Sequence, residues 1–377
     1  MKLDTLYYDG NDWIEQSSQI TSKDKTCLVL LFGHSDTLKS DRAFNSIQSL
    51  YSNAHIAGAS SSGNITGAEI SDQAITATAI QLEKGHVEMS KVDFSDDVNA
   101  ESISSQLIDQ LPAAGLKHVI VFSDGLNING PSLVRGINKV SKGVPVSGGM
   151  AGDGDRFQET WVIGDEPARQ FRVVAVGFYG EDLSISTSFN SGWSSFGPER
   201  LVTKSKDNVL YEIDNKPALK LYKEYLGEYA KDLPLSGMRF PLNIRADEHS
   251  NEVTRTLLAI DETENSITFA GDVPEGFIVR LMKPNMEELI SGAGRAVENI
   301  NKENSKTALG IVISCVGRRV VMNQMTEDEL EEIASSLGHN VQLCGFYSYG
   351  ELAPFHDDLL HCQLHNQTVT LTAIYEK

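Results

Sequence analysis

Apolar and polar positions recur in one order three times along the chain. Each repeat begins with a short apolar run that ends in polar or glycine residues, typical of a buried strand, at 27–32, 119–122 and 310–314. A segment with apolar residues every three or four positions follows and predicts a helix, at 41–50, 131–140 and 327–337. A strand-like run ending in glycine comes next, and then another strand, at 74–82, 171–179 and 368–375. The pattern predicts a repeated strand–helix–strand–strand unit.

A glycine pair follows the second strand of each predicted unit. The two glycines of a pair are five positions apart, at 58 and 63, 149 and 154, and 345 and 350. Glycine after a strand lets the backbone turn tightly or lie close to a bound molecule. We therefore expect these turns to contribute to a ligand site, with Ser60, Gly148, Gly149, Tyr347 and Tyr349 as candidate contacts.

The remaining segments suggest a duplicated architecture. Helical spacing at 101–111 and at 286–300 follows strand-like runs at 87–94 and 276–282. Residues 183–214 alternate as β-structure does, and 217–233 again has helical spacing. Thr326 with Glu329 predicts a capping box at the start of the third repeat's helix. We predict an α/β fold with two related domains of mixed β-sheets flanked by helices: a lead-in at 1–26, an N-terminal domain at 27–216 and a C-terminal domain at 217–377.

Charge and cysteine content narrow the class of protein. The 377 residues include 32 basic and 52 acidic ones, and the net charge of −20 disfavours nucleic acid and anionic membrane surfaces as partners. The start lacks a signal-peptide pattern, and no apolar run approaches the roughly 20 residues that span a bilayer. Cys27, Cys315, Cys344 and Cys362 are too few and too scattered for a disulfide scaffold. We expect a cytoplasmic protein.

Familiar catalytic and metal-binding patterns are incomplete. Residues 58–63 have the spacing of a phosphate loop, but Asn64 and Ile65 occupy the positions of Lys and Ser or Thr. On a strand, His361 and His365 would lie about 13 Å apart, too far to share one metal ion. The interpretation that remains is a set of strand-end loops, since ligands of open α/β sheets bind beyond the carboxyl ends of strands.

The strand-end loops contain Asp124, Cys315 and Arg318. Arg318 offers a bidentate fork for a carboxylate or phosphate. Cys315 beside this cation has the sequence context of a reactive thiol with a lowered pKa, so an enzyme is one alternative. The other interpretation is a purely structural cysteine at the end of a buried strand. Tyr347 and Tyr349 supply ring surface with polar tips and Glu351 an acceptor, although the two tyrosines are equally compatible with packing.

At these residues the chain resembles the FIST sensor domain family. The N-terminal resemblance lies in 56–63, in 146–153 with Phe157 and Thr160, and in Gly192–Trp193, Gly197, Thr203 and Pro217–Ala218. The C-terminal resemblance lies in 273–276, 314–318 and 345–351. Trp193 thereby joins the candidate ligand contacts. Asn64 departs from the family pattern, because an acidic residue is common at that position.

The resemblance implies a small-ligand sensor of bacterial signal transduction, with amino acids as suggested ligands. Some members are described as haem-binding nitric oxide sensors that act on histidine kinases or cyclic-di-GMP enzymes. Haem b is therefore an expected cofactor, and His34, which ends the first buried strand, is the candidate iron ligand, with His356 as the alternative. The chain shows no kinase, cyclase or methyl-acceptor segment, so we expect a stand-alone sensor that acts through a separate partner. An enzyme using Cys315 and Arg318, an amino-acid-binding module without haem, and an interaction scaffold are the alternatives.

Overall fold

Three of the predicted helices, those at 41–50, 131–140 and 327–337, match the structure to within one residue at each end, because their apolar spacing is regular. The computed structural model describes residues 1–72, 74–95, 99–302 and 307–377. Ser40 caps the helix over 41–50, and Asn129 caps the helix over 130–139. The helices are α1 Ser35–Leu38, α2 Asp41–Leu50, α3 Ala100–Asp109, α4 Gly130–Lys139, α5 Ala218–Leu226, α6 Met286–Glu298, α7 Val316–Met322 and α8 Thr326–Leu337.

Strands make up most of the remaining regular structure. In chain order they are β1 Lys2–Tyr8, β2 Trp13–Ser18, β3 Leu28–Gly33, β4 His55–Ser60, β5 Asn64–Thr66, β6 Glu69–Ser71, β7 Ile75–Gln81, β8 His86–Asp93, β9 Leu116–Ser123, β10 Val146–Met150, β11 Val162–Gly164, β12 Arg172–Tyr179, β13 Leu183–Asn190, β14 Ser194–Lys206, β15 Val209–Ile213, β16 Lys216–Pro217, β17 Leu242–Arg245, β18 Val253–Arg255, β19 Leu257–Asp261, β20 Ser266–Phe269, β21 Ile278–Lys283, β22 Ala308–Cys315, β23 Val341–Ser348, β24 Gly350–Phe355, β25 Asp358–His365 and β26 Val369–Glu376.

Three of the sheets are built from the predicted repeats and share one internal order. In unit 1, β3 pairs in parallel with β4 and antiparallel with β7. In unit 2, β9 pairs in the same way with β10 and β12, and in unit 3, β22 pairs in this way with β23 and β26. The sheet orders within the described residues are β11-β4-β3-β7-β1-β2 (sheet 1), β25-β24-β10-β9-β12-β8 (sheet 2) and β13-β26-β22-β23-β5-β6 (sheet 3). The predicted α/β class, with mixed sheets, flanking helices and repeated units, is confirmed.

The three units exchange strands in a ring. After its glycine turn, unit 1 sends β5 to pair with β23 of unit 3. Unit 3 sends β24 to pair with β10 of unit 2, and unit 2 sends β11 to pair with β4 of unit 1. Sheets 2 and 3 therefore contain strands from both sides of residue 216.

Glycine is needed where the second strand of each unit lies against the first. A Cβ at Gly58, Gly148 or Gly345 would lie 1.8–2.0 Å from a carbonyl oxygen of the neighbouring strand. The equivalent residue in unit 2 is thus Gly148, and the predicted alignment that began at Gly149 is wrong by one residue. The position five residues after Gly148 is Asp153, so the second glycine of the pattern is not shared by all three units.

The inner faces of sheets 1–3 enclose a common apolar core. Phe32, Phe122 and Phe346, one from each sheet, meet there with ring centroids 4.8–6.2 Å apart. The outer faces are covered by helices, α2 on sheet 1, α3 and α4 on sheet 2, and α6 and α8 on sheet 3. Buried aliphatic side chains on both faces explain why the first strands are continuously apolar.

A fourth sheet forms a separate apolar core with α5. Its order is β18-β17-β21-β14-β15-β20-β19, and β16 pairs with β15. The strand-like run at 276–282 is β21 of this fourth sheet. The strand that pairs with β26 at the edge of sheet 3 is instead β13. The lead-in forms a β1–β2 hairpin at the edge of sheet 1. Across the described ranges, no helix has both the length and the apolar character needed to cross a membrane.

The predicted capping box of α8 is wrong. Met325 is the N-cap, and Thr326 is the first residue of the helix, its hydroxyl donating to the Asn323 carbonyl at 2.5 Å. Glu329 turns inward, where it is fully buried beside Arg318. A buried cation binds this carboxylate more strongly than an exposed backbone N–H does, which decides its orientation.

Candidate functional site

A cleft of about 660 Å3 opens where the three units meet. Unit 1 contributes the β3–α1 junction and the turn after β4, unit 2 the turn after β10, and unit 3 the helix α7. This is the strand-end location that the sequence predicts. The side chains and backbone around the cleft belong to His34, Thr37, Ser61, Ser62, Asp72, Gly154, Asp155, Val316, Arg319, Val320 and Asn323.

Arg319 supplies the positive charge of the cleft. Its guanidinium binds Asp72 bidentately, at 2.6 Å and 2.7 Å, and it also donates to the Ser62 carbonyl. The side chain lies over the Tyr347 ring, 5.6 Å from its centroid, and a quarter of it is exposed. The hydrogen bonds from Arg319 lower the pKa of Asp72. Gly63 makes room for this arrangement, because a Cβ there would lie 2.5 Å from the guanidinium.

A second set of charges holds the wall of the cleft formed by units 1 and 2. Asp153 is buried and accepts a hydrogen bond from Ser35 at 2.6 Å. Arg156 bonds Asp153 and Ser35 and reaches Asp36 at 2.8 Å. Together these bonds connect the first turn of α1 to the loop after β10, so the junction between the two units is polar and internally satisfied.

Arg318 does not face the cleft, which corrects its predicted role as a ligand-binding fork. The guanidinium is fully buried and donates to Glu329 at 2.7 Å. Its other nitrogens donate to the carbonyls of Leu289, at 2.9 Å, and Ser191. Every guanidinium nitrogen therefore has a partner within the protein, and we assign Arg318 a structural role.

The surroundings of Cys315 disfavour the reactive thiolate that its sequence context suggests. The side chain is buried at the end of β22, and burial raises its pKa despite the neighbouring Arg318. Desolvation of the thiolate outweighs the attraction of a cation whose charge is already neutralised by Glu329. Glu351 lies in the same buried region and accepts hydrogen bonds from Ser348, at 2.6 Å, and from Thr368, at 2.8 Å. Burial raises the pKa of Glu351 to about 8.

Two aromatic candidates are packing residues, and a third stacks on a neighbouring aromatic ring. Tyr347 is fully buried and donates to Glu329 at 3.0 Å, and Trp193 is buried with its indole N–H on the Gln367 carbonyl. Tyr349 stacks on Phe157, with centroids 4.4 Å apart, and its hydroxyl donates to the Gly154 carbonyl.

The remaining predicted contacts have structural surroundings. The Ser60 hydroxyl is buried and donates to the Gly152 carbonyl. Asp124 is buried and accepts from the backbone of Leu126 and from Thr160. Gly148 and Gly149 lie inside β10, where Gly149 pairs with Glu351 of β24. Of the predicted metal ligands, His34 lines the cleft, whereas His356 lies in the exposed turn after β24.

Two family models match consecutive segments of the chain. The FIST N domain matches residues 27–216, and the FIST C domain matches residues 218–354. The chain belongs to the FIST family. FIST domains are a sensory family of signal transduction.

Known proteins that align with this FIST protein include one sequence relative and two solved structures. An uncharacterized protein of Methanocaldococcus jannaschii is 28% identical over 250 residues, which are 57% of this chain and 47% of that protein. The chain thus spans about half the length of this curated relative. A cyanuric acid hydrolase from A. caulinodans aligns over 94% of this chain and 91% of its own, with 6% identity and a TM-score of 0.39. A chorismatase aligns over 99% and 98%, with 8% identity and a TM-score of 0.37.

The cleft of this FIST protein does not fit haem. A porphyrin is a broad apolar plane and requires apolar walls, because a polar group buried against it loses its contact with water. Val316 and Val320 are the aliphatic residues around the cleft, which otherwise has charged, hydroxyl, amide and glycine positions. His34 also uses Nδ1 to accept the Asp36 backbone N–H at 3.4 Å. Among the described residues, no group of three or more His, Cys, Asp and Glu side chains is arranged to hold a metal ion.

Sequence reasoning missed the FIST residues that line the cleft with charge. Arg319, Asp72 and Asp155 received no role, and of the three consecutive serines the prediction chose Ser60 rather than Ser61 or Ser62. The tandem Arg318–Arg319 was a usable signal, since adjacent residues on a helix point in directions about 100° apart. One arginine therefore faces the core and the other the cleft.

Proposed function

We propose that this FIST protein is a sensor that binds a free amino acid in the cleft between the three units. The observation that carries the proposal is the Arg319–Asp72 pair, which places a guanidinium fork and a carboxylate side by side in a polar cleft. An amino acid carries the complementary charges, a carboxylate and an ammonium group, on one carbon. A guanidinium binds carboxylates bidentately, which favours this ligand class over neutral metabolites.

Each charge of the ligand has a partner in the cleft. The ligand carboxylate takes the fork of Arg319 in place of Asp72, and the ammonium group is then bound by Asp72 or by the exposed Asp155. The net charge of −20 disfavours anions without a compensating positive group, so a zwitterion fits better than a dicarboxylate or a phosphate.

The same exchange supplies a conformational signal. Asp72 follows the short β5–β6 hairpin, which unit 1 contributes to sheet 3. When the ligand occupies Arg319, this hairpin loses its ion pair to α7, and its position on β23 is weakened. A ligand shifts a conformational equilibrium only through such a difference in contacts between two states.

We propose that the output passes to a separate cytoplasmic partner, with a histidine kinase or a cyclic-di-GMP enzyme as the candidates that the family resemblance implies. An enzymatic role is the weaker proposal, because Cys315 and Arg318 are both buried and the Arg318 guanidinium is bound by protein groups. A haem-based role is also weaker, because most of the residues around the cleft are polar or charged and do not suit a porphyrin.

Isothermal titration calorimetry with each standard amino acid tests the proposed ligand class. We expect at least one to bind, and Arg319→Lys to weaken it by about 1.5–3 kcal/mol because lysine cannot form the bidentate pair. Arg200→Lys is the matched control, since Arg200 is similarly exposed and pairs with Asp214 outside the cleft. Absence of binding by every amino acid, or equal binding by Arg319→Lys, would refute the proposal. A Soret band in the purified protein would instead favour haem.

A further inference from the structure

A second cleft, of about 540 Å3, lies between unit 2 and the fourth sheet. One wall is the loop from β9 into α4, with Asn127 and Asn129, and the opposite wall is formed by β19 and β20, with Leu258 and Phe269. Nothing in the proposed amino-acid sensing uses it. We propose that this cleft is a second ligand site, for an uncharged planar heterocycle such as a nucleobase or a neutral nucleoside.

The absence of charge identifies the ligand as neutral. Charged residues make up 22% of the chain, yet the fourteen residues around the second cleft include none. The amino-acid cleft, by contrast, has His34, Asp72, Asp155 and Arg319. An ionised ligand would lose hydration in the second cleft without gaining a charged partner, which disfavours it.

An aromatic surface provides the contact for a planar ring. Phe157 and Tyr349 both line the cleft, and their rings are stacked with an interplanar angle of 13°. Phe157, the more exposed of the two, has a φ of 52°, in the left-handed region that a bulky side chain seldom adopts. Its N–H donates to the Tyr349 hydroxyl at 3.3 Å, which holds the backbone in this strained form. Such strain is concentrated at functional sites.

Amide groups supply both a donor and an acceptor. Asn129 uses its Oδ1 to cap α4, and Asn127 uses its Nδ2 to bind Asp124. No hydrogen bond among the described residues uses the side-chain NH2 group of Asn129 or the side-chain carbonyl oxygen of Asn127. Both groups are therefore available to a ligand. A donor and an acceptor on the same wall are the groups that the ring-amide edges of nucleobases require.

The walls of the second cleft are held in place before any ligand binds. Arg135 of α4 donates to Asp272, beside the cleft residue Gly271, at 3.0 Å. Arg255 is buried behind the same wall and donates to the carbonyls of Asp272, at 3.0 Å, and Leu364, at 3.1 Å. A preformed site does not lose binding free energy to ordering its walls.

Calorimetry of the full chain with adenosine, uridine, adenine and uracil tests the proposal. We expect at least one of these probes to bind and Phe157→Leu to weaken it about tenfold, since stacking on an aromatic ring is lost. Leu258→Arg should abolish binding by placing a charge in the cleft. Leu359→Arg is the matched control, because Leu359 is a similarly exposed leucine, 50% against 40%, on β25 outside the cleft. Adenosine monophosphate should bind more weakly than adenosine.

Failure of all four probes to bind would overturn the second site. So would equal affinities for adenosine and its monophosphate, or equal losses in Leu258→Arg and Leu359→Arg. The amino-acid proposal is tested separately through Arg319→Lys, which should leave nucleoside binding unchanged because Arg319 lines only the first of these two clefts.

Discussion

Replacing Arg318 by alanine should destabilise the fold far more than replacing its neighbour Arg319. Arg318 and Glu329 are both fully buried, and their atoms lie 2.6–2.7 Å apart. Without the guanidinium, the side-chain donors that Glu329 keeps among the described residues are the hydroxyls of Ser314 and Tyr347, each at 3.0 Å. A buried carboxylate would then lack a compensating charge.

The size of the effect follows from these contacts. Removing one partner of a buried ion pair costs about 3–5 kcal/mol. The Leu289 carbonyl also loses its donor, at 2.9 Å, which places Arg318→Ala near the upper end of that range. Arg319→Ala breaks a partly exposed pair with Asp72, for which about 1 kcal/mol or less is expected. A total stability of roughly 5–15 kcal/mol is typical of folded proteins, so the first loss is a large fraction of it.

Equilibrium urea denaturation followed by tryptophan fluorescence measures both losses. Trp193 packs against Val321 and Met322 of α7, so its emission reports on the region around Arg318. The double variant Arg318→Met with Glu329→Met should recover most of the loss, since it removes both buried charges. Free energies of unfolding for Arg318→Ala and Arg319→Ala that agree within about 1 kcal/mol would refute the reasoning, because the pair would then behave as a surface pair.

The other predictions concern close packing, pH and thiol reactivity. Gly345→Ala should prevent stable folding, because its Cβ would lie 1.8 Å from the Val312 carbonyl oxygen. A Cβ at Gly115 meets no neighbour within 4 Å, so Gly115→Ala should lower the free energy of unfolding by only about 1 kcal/mol. Thermal unfolding of the two variants compares these effects. The pKa of Glu351 is raised from 4.5 to about 8, so the folded chain holds an extra proton between these values. Its stability should therefore fall by about 1.4 kcal/mol per pH unit as the pH rises through that window, and Glu351→Gln should remove this slope. Cys315 should resist alkylation by iodoacetamide until the protein is denatured, because its thiol is buried. Mass spectrometry of labelled peptides measures this, and alkylation of Cys315 in the native protein would contradict its burial.

The predicted elements that came closest to the structure depend on local periodicity. The helix predicted at 41–50 is α2, and the strand predicted at 171–179 is β12, which begins one residue later. The strand–helix–strand–strand repeat was also visible, because each unit buries the same succession of elements in the same way. The periodicity of a helix or strand needs only neighbouring residues, and so the sequence contains it directly.

The candidate site was predicted less well, because it depends on which side of an element each residue occupies. The sequence located the strand-end region and His34, but it selected Arg318, which is buried, rather than Arg319, which lines the cleft. Glu329 was interpreted as a helix cap, although its partner Arg318 lies eleven positions earlier and reaches it only through the packing of α7 on unit 3.

By itself, the sequence determined the α/β class, the repeat and the approximate bounds of the strands and helices that form it. Only the tertiary structure decided that the units exchange strands in a ring, with β5, β11 and β24 each completing another unit's sheet. It also decided that two clefts lie on either side of residues 154–157. The physical reason is that hydrogen bonds between strands and the walls of a cleft join residues more than a hundred positions apart, as Asp153 and Ser35 show. No local pattern specifies such a pairing, and the burial of a common core selects it.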